Sequence, residues 1–206
     1  MPESALVRDA STTALLIVDL QNDFLHPDGA YARGGQTSDA IAALPARVAP
    51  VADALRNKGG WVVSTQFTLV PGKNDEPLIS PHLKALRPFL GRGDFAPGAW
   101  GHRLVDRLQP ADLVVEKVAY SAFYMTRLEW VLRKVGIDTL LVAGIVTNGG
   151  VASTVRDAHV RDLRVGVLED GCGAFSRQAH ETAITDMGSI ATVLRCEEAA
   201  EAVLGA

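Results

Sequence analysis

The sequence is short of cysteine, of cationic charge and of long apolar runs, and each shortage removes a class of protein. Only two of its 206 residues are cysteine, Cys172 and Cys196. They form no C-x-x-C pair, and the five histidines show no H-x-x-x-H spacing, so neither a disulfide framework nor a structural metal is implied. Lys and Arg total 20 against 24 Asp and Glu, a net charge of −4. A chain without a basic surplus releases few counterions from a nucleic acid, and no nucleic-acid partner is expected. The longest early apolar run, Ala14 to Val18, falls far short of the roughly 20 residues that span a bilayer. Met1 to Asp9 carries no cationic flank leading into an apolar signal core. These features predict a cytoplasmic protein without membrane association.

What is present is a chain 48% hydrophobic and 21% charged, enough to bury one sizeable core in a single domain over residues 1–206. Apolar runs alternate with segments of helical period, the pattern of an α/β fold. Ala14–Val18, Trp61–Thr65, Leu113–Val115, Thr139–Ala143, Arg164–Leu168 and Ala191–Leu194 read as strands. Such continuous runs suit a parallel sheet buried on both faces. Helices are predicted over Ile41–Asn57, Trp100–Leu108, Arg127–Val135, Val151–Asp162, Arg177–Met187 and Glu197–Leu204. Gly59-Gly60 and Gly136 close helices ahead of the next strand. Two long irregular stretches, Gln21–Gln36 and Phe67–Gly98, have the length of functional covers over a site.

In an open parallel sheet the ligand crevice lies beyond the carboxyl ends of the strands. Three segments occupy that position. Asp19 closes the first strand and opens Asp19-Leu20-Gln21-Asn22-Asp23-Phe24. Lys117 follows the third and leads into Tyr120-Ser121-Ala122-Phe123. Gly144-Ile145-Val146-Thr147-Asn148-Gly149-Gly150 turns from the fourth strand into a helix begun by Ser153-Thr154-Val155-Arg156-Asp157-Ala158. A carboxylate and an ammonium converging there would place a proton carrier beside a fixed charge, and the helix N-terminus would aim N–H groups at an oxyanion. Each feature also has a plain structural reading: Asp19 as a turn cap, Lys117 as a surface lysine, the glycines as hinges of a tight connection.

These three blocks, in this order, resemble the signatures of the isochorismatase-like (cysteine hydrolase) family, and the resemblance runs over almost the whole chain. It implies a three-layer α/β/α fold with a six-stranded parallel sheet in order 3-2-1-4-5-6, assembled as a homodimer or homotetramer. In the amidase branch of that family an Asp, a Lys and a Cys form a triad. Asp19 and Lys117 match the first two, and Gly150 stands at the position of the nucleophilic cysteine. Isochorismatases resemble this pattern with a glycine there, because their vinyl-ether cleavage needs no covalent nucleophile and their Asp serves as general acid. Thr147-Asn148, by contrast, is similar to the amidase branch. The resemblance further implies a non-proline cis peptide between Ile145 and Val146, with the N–H groups of Val146 and Gly150 forming an oxyanion hole or carboxylate cradle.

The main expectation is therefore a small-molecule hydrolase that works without the family cysteine and directs water, as in converting isochorismate to pyruvate and a dihydrodiol. The alternatives are a cysteine amidohydrolase for amide, carbamoyl or ureide substrates with Gly150 in place of its nucleophile, and a non-catalytic binder of a small anion. Asp19, Lys117 and Gly150 are the expected catalytic positions. Phe24, Gln66, Trp100, Tyr120, Phe123, Val146 and Thr147 are expected around the substrate, with Tyr31 where a covering loop begins. Nicotinamidase relatives hold a metal through Asp and His just after the second strand; Gln66–Gly72 contains neither, and no metal or other cofactor is expected. Cys172 is expected to be a packing residue.

Overall fold

The apolar run at the start of the chain becomes the centre of the sheet. In a computed structural model that describes residues 6–206, β1 (Thr13–Val18) is buried at every position. Residues 1–5, part of the Met1–Asp9 stretch read above, lie outside the described residues. Along the chain follow α1 (Asn22–Leu25), α2 (Ala30–Arg33), α3 (Asp39–Ala42), α4 (Leu44–Lys58), β2 (Trp61–Phe67), α5 (Pro81–Leu86) and β3 (Leu113–Lys117). The second half contributes α6 (Leu128–Lys134), β4 (Thr139–Ile145), α7 (Ala152–His159), β5 (Arg164–Gly173), α8 (Arg177–Met187), β6 (Thr192–Leu194) and α9 (Cys196–Gly205). The strands pair in parallel in the order β3-β2-β1-β4-β5-β6, the expected doubly wound topology.

Successive side chains of a strand leave on opposite faces, and β1 shows it directly. Leu15 and Ile17 join Leu55 of α4 and Val203 of α9 in one core, while Ala14, Leu16 and Val18 join Leu132 of α6, Val155 of α7 and Met187 of α8 in the other. A third, smaller cluster of Tyr31, Leu69, Leu90 and Phe95 sits above the sheet under the long connections. Register then fixes the crevice: Val18 pairs with Thr65 and with Gly144, and Phe67 pairs with Lys117. The ends of four strands are thereby brought side by side.

Differences from the sequence reading have local causes. Trp100–Leu108 is not a helix; only a short 3-10 turn forms at Asp106–Leu108. The carbonyls of Trp100, Gly101, His102 and Arg103 accept hydrogen bonds from Gln21, Asn22 and Asp23, which leaves no i→i+4 ladder to build. The helix expected over Ile41–Asn57 is two, α3 and α4, divided at Ala43, because Pro45 at the start of α4 has no N–H with which to continue a helix. Both cover stretches contain short helices, α1 and α2 in the first and α5 in the second. β5 runs on past Leu168 to Gly173, so Cys172 lies inside that strand rather than after it. Gly59 and Gly136 do end their helices, at φ of 77° and 75°.

Candidate active site

Asp19 leaves β1 with φ of 57°, a left-handed conformation that few residues other than glycine adopt readily, and this turns its carboxylate down into the crevice. Its neighbourhood is built from donors. Lys117 Nζ lies 2.6 Å from Oδ2, and the Thr65 hydroxyl donates to Oδ1 at 2.8 Å. Asp19 is 4% exposed and Lys117 2%. Lys117 also donates to the Ala119 carbonyl at 2.9 Å, and its ammonium stands 5.7 Å from the centroid of the Phe67 ring. A buried, hydrogen-bonded ion pair of this kind is weak evidence for stability but strongly fixes geometry, since losing either partner strands the other charge.

Opposite this pair is the turn between β4 and α7. Gly144, at φ of 130°, is the position that needs glycine, because a Cβ there would sit 2.0 Å from the Val18 carbonyl oxygen. The Ile145–Val146 peptide is cis, and the chain then winds through a π-helical turn, Thr147–Val151, into α7. The Val146 carbonyl accepts from the N–H groups of Gly149 and Val151, whereas the Val146 N–H donates to no acceptor among the described residues. The Thr154 hydroxyl donates to the Gly150 carbonyl at 2.7 Å and accepts from the Ala122 N–H at 3.0 Å, which ties the turn to the segment following Lys117.

Asp19, Lys117 and Gly150 line one cavity of about 320 Å³. Phe24, Tyr31, Tyr120 and Val146 line it as well. The remaining four positions expected around the substrate face elsewhere. Phe123 packs in the core beneath the Arg161 guanidinium, 4.7 Å from its ring centroid. Thr147 is fully buried and pairs with His180 Nδ1 at 2.8 Å. Trp100 is 45% exposed, edge-on to His26, and Gln66 is buried within β2 outside the cavity lining. Residues that the sequence reading passed over complete the walls: Phe67 and Phe175 at the sides, with Leu83, Leu86, Arg87 and Leu90 above. Phe67 and Phe175 lie at or just past the ends of β2 and β5, so the strand-end rule already pointed to them.

The cover is fastened by the segment that follows Asp19. The Asp23 carboxylate accepts from the Ala30 N–H at 3.0 Å and the Phe95 N–H at 2.7 Å, joining both long connections to one buried side chain. The Gln21 side chain accepts from the Phe67 N–H and donates to the carbonyls of Phe67 and His102. Neither thiol reaches the cavity. Cys172 is buried against the Val142 carbonyl, and burial pushes its pKa up to about 12; Cys196 is raised by burial too. A thiol in that state is a packing group and not a nucleophile. Among the described residues no three His, Cys, Asp or Glu side chains gather as a metal site would require, and no helix is long and apolar enough to cross a membrane.

Residues 13–198 match the Isochorismatase domain family. A ureidoacrylate amidohydrolase, RutB, of Methylobacterium radiotolerans is 36% identical over 174 residues, covering 79% of this chain and 67% of that enzyme. The N-carbamoylsarcosine amidase of Thermoplasma acidophilum superposes with a TM-score of 0.71 at 28% identity, over 90% of this chain and 97% of that one. A cysteine hydrolase of Pseudomonas syringae superposes with a TM-score of 0.82 over 96% and 94% of the two chains; at 23% identity it speaks for the fold alone. With the strand order, the crevice and the family match in agreement, the chain belongs to the isochorismatase-like family of hydrolases.

Proposed function

We propose that the chain hydrolyses a carbon–nitrogen bond of amide, carbamoyl or ureide type in a small molecule, with water taking the place of the family thiolate. The observation that carries this reading is the Asp19 carboxylate, whose two partners, Lys117 Nζ at 2.6 Å and the Thr65 hydroxyl at 2.8 Å, both donate. Such surroundings match the ionised carboxylate from which a general base starts, and Asp19 lines the same cavity as Gly150, which has no side chain of its own to act as nucleophile. In the proposed sequence Asp19 takes a proton from water as the water oxygen attacks the carbonyl carbon. The N–H groups of Val146 and Gly150 hold the oxyanion of the tetrahedral intermediate, and Lys117 balances the charge at Asp19. Collapse breaks the C–N bond, and the proton on Asp19 passes to the departing nitrogen. The substrate class draws support from relatives described as a ureidoacrylate amidohydrolase and an N-carbamoylsarcosine amidase.

The missing thiol favours a second reading, water-directed cleavage of a vinyl ether such as isochorismate. That chemistry starts from a protonated Asp19, whereas the donors on its two oxygens match the ionised carboxylate from which the amide reaction starts. Release of ammonia and of pyruvate by the unmodified protein, by Gly150→Cys and by Asp19→Ala separates the possibilities. The proposal expects ammonia from the unmodified protein on a panel of amides, carbamoyl compounds and ureides, and none from Asp19→Ala. Pyruvate from isochorismate would establish the second reading. Ammonia from Gly150→Cys alone would mean an amidase site lacking its nucleophile, and no product from either protein would leave a non-catalytic binder.

A further inference from the structure

The roof of the cavity carries a charge that the proposed chemistry does not use. Arg87 ends α5 and is half-buried. Its Nε donates to the Tyr31 hydroxyl at 3.3 Å, one Nη donates to the Leu86 carbonyl at 2.8 Å, and the guanidinium lies 5.9 Å from the Tyr31 ring centroid. Among the described residues it has no carboxylate partner, and the one acidic group lining the cavity, Asp19, is already paired with Lys117. The cavity is therefore electrically lopsided, with a neutralised pair on the floor and an unbalanced cation above. Tyr31 is 8% exposed, and its hydroxyl accepts from Arg87 while donating to nothing among the described residues. Burial raises its pKa, so its proton stays in place as a donor. Unused N–H groups of Arg87 and the free Tyr31 O–H together make the fork-like donor set that a carboxylate fits.

The walls between floor and roof are flat and aromatic. Tyr31 stacks on Phe175 at 5.5 Å with an interplanar angle of 15°, and Phe24 lies 4.6 Å from Tyr31 on another side. We propose that Arg87 and Tyr31 form a carboxylate subsite, so that the substrate is a small planar acid bound with its carboxylate under the roof and its reacting group at Asp19. The neutralised pair on the floor offers a carboxylate no net positive charge to match Arg87, so the subsite sets orientation as well as affinity. The inference rests on the cavity being the substrate site but not on which bond is cut there.

Benzoate and its neutral isostere nitrobenzene, neither of which a hydrolase can cleave, test the subsite directly by titration calorimetry on the unmodified protein and on Arg87→Met, Arg87→Lys and Tyr31→Phe. The expected result is benzoate binding about ten- to hundredfold tighter than nitrobenzene in the unmodified protein, the range of a charge-assisted hydrogen bond. Arg87→Met should abolish that preference while leaving nitrobenzene affinity unchanged, Arg87→Lys should retain part of it, and Tyr31→Phe should reduce it. Equal affinity for the pair, no measurable benzoate binding, or a preference that survives Arg87→Met would overturn the proposal. A benzoate preference in a protein that releases no product would uphold the subsite while the hydrolytic reading failed.

Discussion

The floor and the roof of the cavity are built by different physics. Below, Asp19 and Lys117 are almost wholly buried on the ends of paired strands, and every polar contact they make is to the sheet or to the turns leaving it. Above, α5 buries none of its residues, and it is tied down by a Lys84 bond to the Leu90 carbonyl and by apolar contact with the Tyr31–Phe95 cluster. A floor of this kind holds a reacting geometry that substitution damages. The roof, held by few contacts, can change its residues at small cost in stability, which is how one sheet serves many substrates. Under the proposed function, chemistry is anchored in the sheet and selection among substrates belongs to its cover.

That contrast can be broken most severely at the floor. Asp19→Asn should lower kcat by about 10²- to 10⁴-fold, the range for a lost general base, measured by ammonia release. Lys117→Met strands a buried carboxylate and should cost about 3–5 kcal/mol in urea denaturation, part of it regained in the double variant Asp19→Asn/Lys117→Met. Asp23→Ala sits between the two regions: it leaves the N–H groups of Ala30 and Phe95 without their acceptor and should cost about 1–3 kcal/mol. Its kinetic signature is a raised KM with kcat little changed, because the cover loosens while the floor stays intact.

Smaller effects sharpen the same comparison. A Cβ at Gly150 would stand 3.0 Å from the Ile145 carbonyl oxygen and 3.3 Å from Val18 Cγ1, so Gly150→Ala should cost about 1–3 kcal/mol through crowding alone. That variant is the steric control for Gly150→Cys, whose labelling by iodoacetamide should stand against a silent background from Cys172 and Cys196. At the roof, Leu86→Ser should change stability by no more than about 0.5 kcal/mol, because Leu86 is exposed, and raise KM a few-fold at most. Burial holds the His102 imidazole below its ordinary value of 6.5, and His180 is lowered in the same way. As pH falls below about 6.5 the unfolded chain takes up these protons first, so this contribution is present above pH 6.5 and lost as pH drops through the folded values. The urea midpoint should fall between pH 7 and 5.5, less steeply in His102→Gln.

The floor was legible in the sequence because its logic is one-dimensional. A buried run ending in Asp19, a strand ending in Lys117 and a glycine turn after β4 all follow from strand ends, and parallel register brings strand ends together. The roof was not legible, since the direction of Arg87 depends on where α5 comes to rest and no period in the chain encodes that. Phe123 and Thr147 show the limit most plainly. They stand in the same sequence blocks as Lys117 and Gly150, yet one turns into the core beneath Arg161 and the other towards His180. Proximity along the chain to a site residue is not orientation towards the site. The segment Trp100–Leu108 has helical spacing, and hydrogen bonds from Gln21–Asp23, some 80 residues earlier in the sequence, outweighed it.

The most direct measurement is ammonia release by the unmodified protein on amide, carbamoyl and ureide substrates, before and after iodoacetamide treatment, with Asp19→Ala beside it. Water-directed hydrolysis from Asp19 predicts turnover that survives the thiol reagent and vanishes in Asp19→Ala. Turnover abolished by iodoacetamide, undiminished in Asp19→Ala, or appearing only once a cysteine is installed at Gly150 would contradict it.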